Sequence, residues 1–302
     1  MSWLKKLFVD ETHRESRIHI PVFVVLISIV QISVLIYTII DNKGLSSLSE
    51  NPMAGPSSAT LIRNGAKYVP CMKPTQENYL NETVHCIYIN ETSTTYEQCL
   101  RYLCNAQNLK GFPYQIYRFV IPIFLHAGII HLAINLIGQL VTGIPLERKF
   151  GFIRIGIIYI LSGIGGLLLS VIGLPKYLST GASGALYGIF AVYLMDMIRN
   201  WKNLSKPWIR LIIDGGCSIA WLIVGIFVPM IDYMAHIGGF ITGILCGLFI
   251  CPNLYWNICK FNNQTKSKLI IMITSLILLL SVFLGGFIEF YRTTATPTYS
   301  NN

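Results

Sequence analysis

Residues 179–190 read STGASGALYGIF and open an apolar run that meets no charged residue before Asp196. Such a run is typical of a membrane-spanning helix, because a helix satisfies its own backbone hydrogen bonds in lipid. Its serine, Ser183, stands among small residues, a composition that favours close contact between membrane helices. A serine hydroxyl next to a general base is also a nucleophile. Ser183 is therefore either a packing residue or the centre of a hydrolytic site.

The whole chain is too apolar for a soluble domain. Of its 302 residues, 53% are hydrophobic and 12% are charged, and the mean hydropathy is +0.56. We predict an all-α polytopic membrane protein, because runs near the ~20 residues that cross a bilayer core recur along the sequence. Seven such runs lie at 20–40, 129–146, 152–172, 183–198, 209–228, 233–250 and 269–288. The first has no cleavage site behind it and is expected to be a signal anchor.

Basic residues predict the orientation of these spans. The connection 199–210 carries four basic residues and no acid, and further lysines precede the last span. The positive-inside rule therefore predicts a cytosolic N-terminus (1–19) and a basic cytosolic loop (251–268). A nucleic-acid patch is the alternative explanation of the net charge of +9. Because the charges sit in short turns beside spans, we expect the lipid bilayer and not nucleic acid as the partner.

The segment 41–128 is then expected in the lumen or outside the cell. It contains four cysteines and two N-glycosylation sequences, and both features belong to an oxidising compartment. The candidate disulfide cysteines are Cys71, Cys86, Cys99 and Cys104, and the candidate glycosylation sites are Asn81 and Asn90. Four cysteines allow three pairings, and the sequence does not choose among them. These features predict a secretory-pathway membrane (Golgi or plasma membrane), with the tail 289–302 luminal.

Polar residues inside the predicted spans are candidates for function, since they are costly in lipid. They are His131, Asn135, Gln139, Ser183 and His236. From Ser183 to Arg199 a helix rises only roughly 24 Å. If Arg199 marks the cytosolic face, Ser183 begins its helix below the outer surface, where irregular backbone requires a cavity. We therefore expect a water-filled cavity that opens outward.

Glycine spacing predicts that the Ser183 and His236 spans touch. Gly184 and Gly188 are one turn apart, as are Gly239 and Gly243. Small residues at this spacing let two helix backbones approach closely. Close approach is what a hydroxyl and an imidazole need to form a hydrogen bond.

A Ser183–His236 dyad is the simplest chemistry that these residues support. His236 would take the serine proton as general base and return it to the leaving amine. No acid is close enough in sequence to orient this histidine, and Asp232, one turn away, is expected at the surface. The oxyanion of a tetrahedral intermediate would find donors in the Ser183 amide, Asn135 and His131. Tyr187 could stack on the imidazole, or simply form an interhelical contact.

Several motifs resemble those of the rhomboid intramembrane serine proteases. They are HLAIN at 131–135, GASG at 181–184 with Tyr187 following, AHIGGFITG at 235–243, YR at 117–118 and LERKFG at 146–151. His126 matches a further family histidine. The resemblance covers about 117–250, and Tyr117 departs from the usual tryptophan.

The resemblance implies a rhomboid-like six-helix core plus one C-terminal transmembrane helix. The first helix is then 20–40, the catalytic helical core 129–250 and the seventh helix 269–288. The implied catalytic pair is Ser183 and His236, with His131 and Asn135 in the oxyanion hole. Supporting residues are Tyr187, Gly181, Gly184, Gly239 and Gly243. The implied substrates are single-pass transmembrane proteins cut near the luminal or extracellular face.

Other functions are less well supported by the sequence. An inactive, client-binding relative is the main alternative, but such relatives generally lack the serine or histidine or place a proline beside the serine, whereas Ala182 precedes Ser183 here. A transporter would need intramembrane ion pairs or paired helix breaks. A zinc protease would need a motif such as HExxH, which the sequence lacks. We therefore expect no metal and no other cofactor.

Overall fold

A computed structural model of the chain describes residues 19–86, 91–106, 115–216, 219, 231–251 and 264–295. These residues are mostly helical, and five of their helices are long and apolar enough to cross a membrane. The expected class, an all-α polytopic membrane protein, is confirmed. The helices that could span are α1 (Val22–Asp41), α6 (Ile129–Phe150), α7 (Phe152–Gly173), α10 (Tyr233–Ile250) and α11 (Gln264–Arg292), whose apolar part is Leu269–Arg292.

Shorter elements complete the described part of the chain. The Ser183 helix, α8, runs over Ser183–Arg199 and has 17 residues, against 22 in α7 and 18 in α10. Between α1 and α6 lie α2 (Ser58–Arg63), α3 (Val69–Met72), α4 (Glu77–Leu80), β1 (Thr83–Cys86), β2 (Glu91–Thr95) and α5 (Tyr96–Leu103). The predicted fifth span, 209–228, begins in α9 (Pro207–Arg210) and a π-turn (Leu211–Gly215). Most of the rest of that span lies outside the described residues.

Helix α7 is the centre of the bundle. Buried residues make up 61% of its apolar window, against 11% for α11, so α7 is surrounded by protein and α11 is peripheral. Helices α7, α8 and α10 pack against one another and share a core that includes Ile158, Ile189 and Cys246. Helix α11 rests on α7 and α10, where Gly286 admits the side chain of Leu168.

A closed group of polar side chains joins α1, α6 and α7. The Tyr159 hydroxyl donates to Gln139 Oε1 (2.6 Å) and accepts from Gln31 Nε2 (2.8 Å). Gln139 Nε2 in turn donates to Gln31 Oε1 (3.0 Å) and to the Ser28 hydroxyl (2.8 Å). Polar side chains buried among apolar helices stabilise a bundle when each finds a partner. Gln139 therefore holds helices together, although it shares a helix face with His131 and Asn135.

Glu147 fixes the start of α1. Its carboxylate accepts hydrogen bonds from the Phe23 and Val24 amides at 2.7 and 2.8 Å. The first amides of a helix lack partners within the helix, and a carboxylate there is favoured by the helix dipole. The end of α6 thereby caps α1.

The described residues of 58–106 (58–86 and 91–106), here called the cysteine module, form a small compact unit with two disulfides. Cys71 pairs with Cys104 and Cys86 with Cys99, with Cα–Cα distances of 5.4 and 5.8 Å. The strands β1 and β2 pair in antiparallel fashion, and a Thr95–Gln98 capping box begins α5. Asn81 is exposed at the end of α4, whereas Asn90 lies outside the described residues. The structure thus chooses one of the three possible pairings.

Loss of the Cys71–Cys104 bond is expected to destabilise the protein more than loss of the Cys86–Cys99 bond. The first closes a loop of 33 residues and the second a loop of 13. Chain entropy then predicts a difference of about 0.8 kcal/mol in the free energy of unfolding. Unfolding in detergent of one variant with alanine at 71 and 104, and of another with alanine at 86 and 99, measures this difference through their midpoints. Peptide mapping without reductant that gave any other pairing would contradict this assignment.

Candidate active site

Ser183 is the first residue of α8, at the end of the loop 174–182. Gly181 has φ +116°, a backbone conformation that side-chain-bearing residues rarely adopt, and its amide donates to the Pro122 carbonyl at 2.8 Å. Ala182 is fully buried and precedes the first turn. The first amides of α8 have no partner within the helix, and the positive end of its dipole lies there. The Ser183 amide can therefore stabilise negative charge.

Glycines bring the backbones of α8 and α10 into direct contact. A Cβ placed on Gly184 would lie 3.2 Å from the Ala235 carbonyl oxygen. A Cβ on Gly239 would overlap the Gly184 carbonyl, and one on Gly243 would overlap the Gly188 backbone. This contact, here called the glycine seam, leaves no space for a side chain larger than hydrogen. Ser183 and His236 adjoin Gly184 and Ala235, so the seam sets their separation.

His236 is held by an aromatic stack. Its ring is fully buried and lies parallel to the Tyr187 ring, with centroids 4.3 Å apart and planes 13° apart. Neither ring nitrogen has a hydrogen-bond partner among the residues the structure describes. Stacking on Tyr187, one turn beyond Ser183 on α8, therefore fixes the plane of the imidazole and leaves its nitrogens available.

Asp232 is buried, contrary to the expectation that it lies at the surface. Its carboxylate accepts the Ala235 amide at 2.9 Å and the Ser170 hydroxyl, and the residue is 6% exposed. Capping of the first turn of α10 accounts for the burial, because this carboxylate satisfies an amide that has no partner within the helix. Asp232 thus fixes the helix that carries His236.

His131 and Asn135 face the loop that leads to Ser183. A Cβ on Gly181 would lie 2.8 Å from His131 Nε2 and 3.5 Å from Asn135 Nδ2. The Ala127 amide donates to His131 Nδ1 (3.4 Å), so the neutral ring carries its proton on Nε2, the nitrogen near Gly181. Asn135 Nδ2 is buried and has no partner in the described part of the chain. Two unused side-chain donors therefore converge beside the start of α8.

The structure brings together all nine sequence-predicted residues of the candidate site. They are Ser183, His236, His131, Asn135, Tyr187, Gly181, Gly184, Gly239 and Gly243. A hydroxyl at a helix start, a buried imidazole and donors beside them are the parts that nucleophilic acyl transfer requires. The four disulfide cysteines and Asn81 belong to the cysteine module and take no part.

Sequence reasoning missed Asn51, which orders the segment before α6. Its side-chain amide donates to the Ala127 and Pro56 carbonyls, each at 2.7 Å, and the residue is 1% exposed. Ala127 is the residue whose amide holds His131 Nδ1. Asn51 lies in an irregular segment and therefore follows no helical or strand periodicity. The glycine and prolines near it in sequence indicate irregular backbone but do not single out the asparagine.

Comparison with known proteins identifies the architecture. Residues 113–253 match the rhomboid domain family. The chain is similar to Rhomboid-type serine protease 2 of Emericella nidulans (36% identical over 66% of the chain) and to RHOMBOID-like protein 1 of Arabidopsis thaliana (32% over 82%). It is also similar to Inactive rhomboid protein 1 of Danio rerio (34% over 68%). The matches span 42%, 57% and 24% of those proteins, so the chain covers less than two thirds of each.

Gly239→Ala is expected to destabilise the bundle, because the added methyl group meets the Gly184 carbonyl, a backbone atom that cannot rotate away. Overpacking of this kind costs about 1–3 kcal/mol. Gly285→Ala is the matched control, since a Cβ there meets nothing within 4 Å. The unfolding midpoint in detergent should fall for the first variant and stay level or rise for the second. Equal midpoints would show that the glycine seam is not close-packed.

Proposed function

The chain belongs to the rhomboid family, and we propose that it is an intramembrane serine endopeptidase with Ser183 as nucleophile and His236 as general base. One observation carries the proposal. The glycine seam and the Tyr187 stack hold a buried imidazole beside the helix start that bears Ser183. A packing serine would not need a histidine held in this way.

In the proposed reaction the Ser183 hydroxyl attacks the carbonyl carbon of the scissile peptide bond while His236 accepts its proton. The tetrahedral intermediate collapses as His236 returns that proton to the leaving amine, which leaves an acyl-enzyme. Water then enters, gives its proton to His236 and releases the carboxylic product, and Ser183 regains its hydrogen. A dyad suffices, because Tyr187 fixes the imidazole in place of a hydrogen-bonded acid.

The oxyanion of the intermediate is proposed to lie near Gly181. His131 Nε2–H and Asn135 Nδ2 point there, and the Ser183 amide supplies a third donor. Donors that are fixed before the reaction stabilise the developing charge without reorganisation. Gly181 is required at this point, since a side chain would displace His131.

The proposed substrates are single-pass transmembrane proteins, cut near the luminal or extracellular end of their spans. The N-terminus and the loop 251–268 are proposed to be cytosolic, and the cysteine module luminal, in a secretory-pathway membrane. Two disulfides in that module support this orientation, because disulfides persist in oxidising compartments.

A client-binding role without catalysis is the second candidate. It is supported by the similarity to the Danio rerio protein named Inactive rhomboid protein 1. The presence of both Ser183 and His236, with Ala182 rather than proline before the serine, favours catalysis.

Ser183→Ala should abolish cleavage of a co-expressed single-pass reporter, with a loss of at least about 10³-fold, because the alanine has no nucleophilic oxygen. Ser162→Ala is the matched control. Ser162 is also buried beside the glycine seam, and its hydroxyl has no hydrogen-bond partner among the described residues. The measurement is the ectodomain released at matched expression.

Release by wild type and Ser162→Ala, but not by Ser183→Ala, is the expected pattern. Equal release by all three would contradict the proposal and leave Ser183 as a packing residue. If none of them releases reporter from a panel of such proteins while each retains bound reporter on pull-down, client binding is the better account.

The orientation has its own test. Asn81→Gln should remove one glycan and increase the mobility of the protein on a gel, since Asn81 is exposed in the module proposed to be luminal. Asn203→Gln, at an exposed acceptor sequence in the connection proposed to be cytosolic, should change nothing. Glycosidase treatment of each variant measures this. A glycan at Asn203 instead would reverse the topology.

A further inference from the structure

One buried lysine of the cysteine module, Lys67, contacts the loop that leads to the candidate active site. Lys67 is fully buried, which is rare for a lysine unless partners surround its ammonium group. It stands between α2 and α3, on a segment that the nucleophile and the general base do not belong to. Its hydrogen-bond partners, however, lie on the loop that leads to the nucleophile.

Lys67 forms hydrogen bonds at two points of the loop 174–182, which precedes Ser183. Its ammonium group donates to the carbonyl oxygen of Leu174, the residue that follows α7, at 2.6 Å. Its backbone pairs with Ser179 in both directions, at 2.9 and 3.3 Å. The loop 174–182 is therefore tied at its beginning and shortly before Ser183 by the same residue.

The end of α7 that Lys67 holds also contacts the helix that carries His236, because the Ser170 hydroxyl near that end donates to the Asp232 carboxylate. Burial lowers the pKa of Lys67 from 10.5 to about 8, and attraction to the Asp232 carboxylate opposes that shift. Asp232 caps the first turn of α10 through the Ala235 amide, so the lysine compensates a buried carboxylate that positions His236.

The backbone around Lys67 is itself firmly held. Arg118 donates to the carbonyls of Ala66 and Ile62 at 2.6 and 2.7 Å. The Cys71–Cys104 disulfide follows one helical turn later and ties α3 to the end of α5. Lys67 is therefore a fixed point against which the loop 174–182 and α10 can be set.

We propose that Lys67 is a positioning residue for the dyad, the one point at which we assign the cysteine module an influence on the rate of catalysis. It sets the Ser183 loop through Leu174 and Ser179. It also holds the end of α7, where the Ser170 hydroxyl donates to Asp232 at the start of the His236 helix. This inference rests on the proposed protease function. A module that only recruited substrate would not need a buried lysine hydrogen-bonded to the loop that leads to the nucleophile.

Lys73 provides a matched control on the same module. It is also buried, at 6% exposure, and its ammonium group also donates to a backbone carbonyl, that of Phe290 at 3.0 Å. A second hydrogen bond goes to the Thr293 hydroxyl at 2.8 Å. These partners belong to the end of α11 and the residues just after it, away from the dyad. Lys73→Met therefore removes a similar buried cation without touching the loop 174–182.

The experiment compares full-length wild type, Lys67→Met, Lys73→Met and Ser183→Ala in the same vesicles, with kcat and KM measured on a single-pass reporter. Misplacement of catalytic groups by about 1 Å can cost about 10²-fold in rate. We expect kcat of Lys67→Met to fall by about that factor with KM nearly unchanged. Lys73→Met should retain the kcat of wild type. Lys67→Gln serves if the methionine variant fails to fold.

Amide hydrogen exchange gives a readout that does not depend on activity. Residues 174–182 and the first turn of α10 should exchange faster in Lys67→Met than in wild type or Lys73→Met. Unchanged exchange there would overturn the proposal. Equal loss of kcat in both lysine variants would show a merely structural role, and a raised KM with kcat retained would assign Lys67 to substrate binding. A wild type no more active than Ser183→Ala would instead refute the protease function, while the exchange result still decides the role of Lys67.

Discussion

Contact between two helix backbones is the constraint on which the candidate site depends. Ser183 and His236 come from different helices, and no loop connects them directly. Glycine at 184, 188, 239 and 243 lets the backbones of α8 and α10 come into contact, and Ser183 and His236 lie next to that contact on the two helices. The stack of Tyr187 on His236 follows from the same approach, because both rings project from the seam. Neighbouring protein groups, rather than water, orient the buried polar side chains of the bundle.

The second constraint is charge compensation between the membrane helices and the cysteine module. Asp232 caps α10 as a buried carboxylate, and it attracts the opposite charge of Lys67, which comes from a distant part of the chain. Arg118 and Lys73 also join the module to the rest of the protein, and they do so by donating hydrogen bonds to backbone carbonyl oxygens. Buried cations that donate to carbonyl oxygens thus help to join the module to the bundle, together with Val69 and Met72, which belong to the apolar core of the bundle.

The sequence predicted those features that depend on local pattern. Apolar runs located the membrane helices, one-turn glycine spacing located the seam, and the polar residues of the spans located the candidate site. Asn51, Lys67 and the burial of Asp232 escaped prediction, because each depends on contacts between residues distant in sequence and none of them repeats with a helical period. The disulfide pairing escaped for the same reason, since spacing alone permits three arrangements. The predicted fifth span lies mostly outside the described residues and stays a prediction.

The most direct test of the central claim is covalent trapping of the nucleophile. Purified full-length protein would be treated with a fluorophosphonate, which reacts with activated serine hydroxyls, and the modified residue located by peptide mass spectrometry. The account predicts a single adduct on Ser183 that is lost in His236→Ala, because the imidazole must accept the serine proton. No adduct on wild type, or an adduct on Ser183 that persists without His236, would contradict a Ser183–His236 dyad.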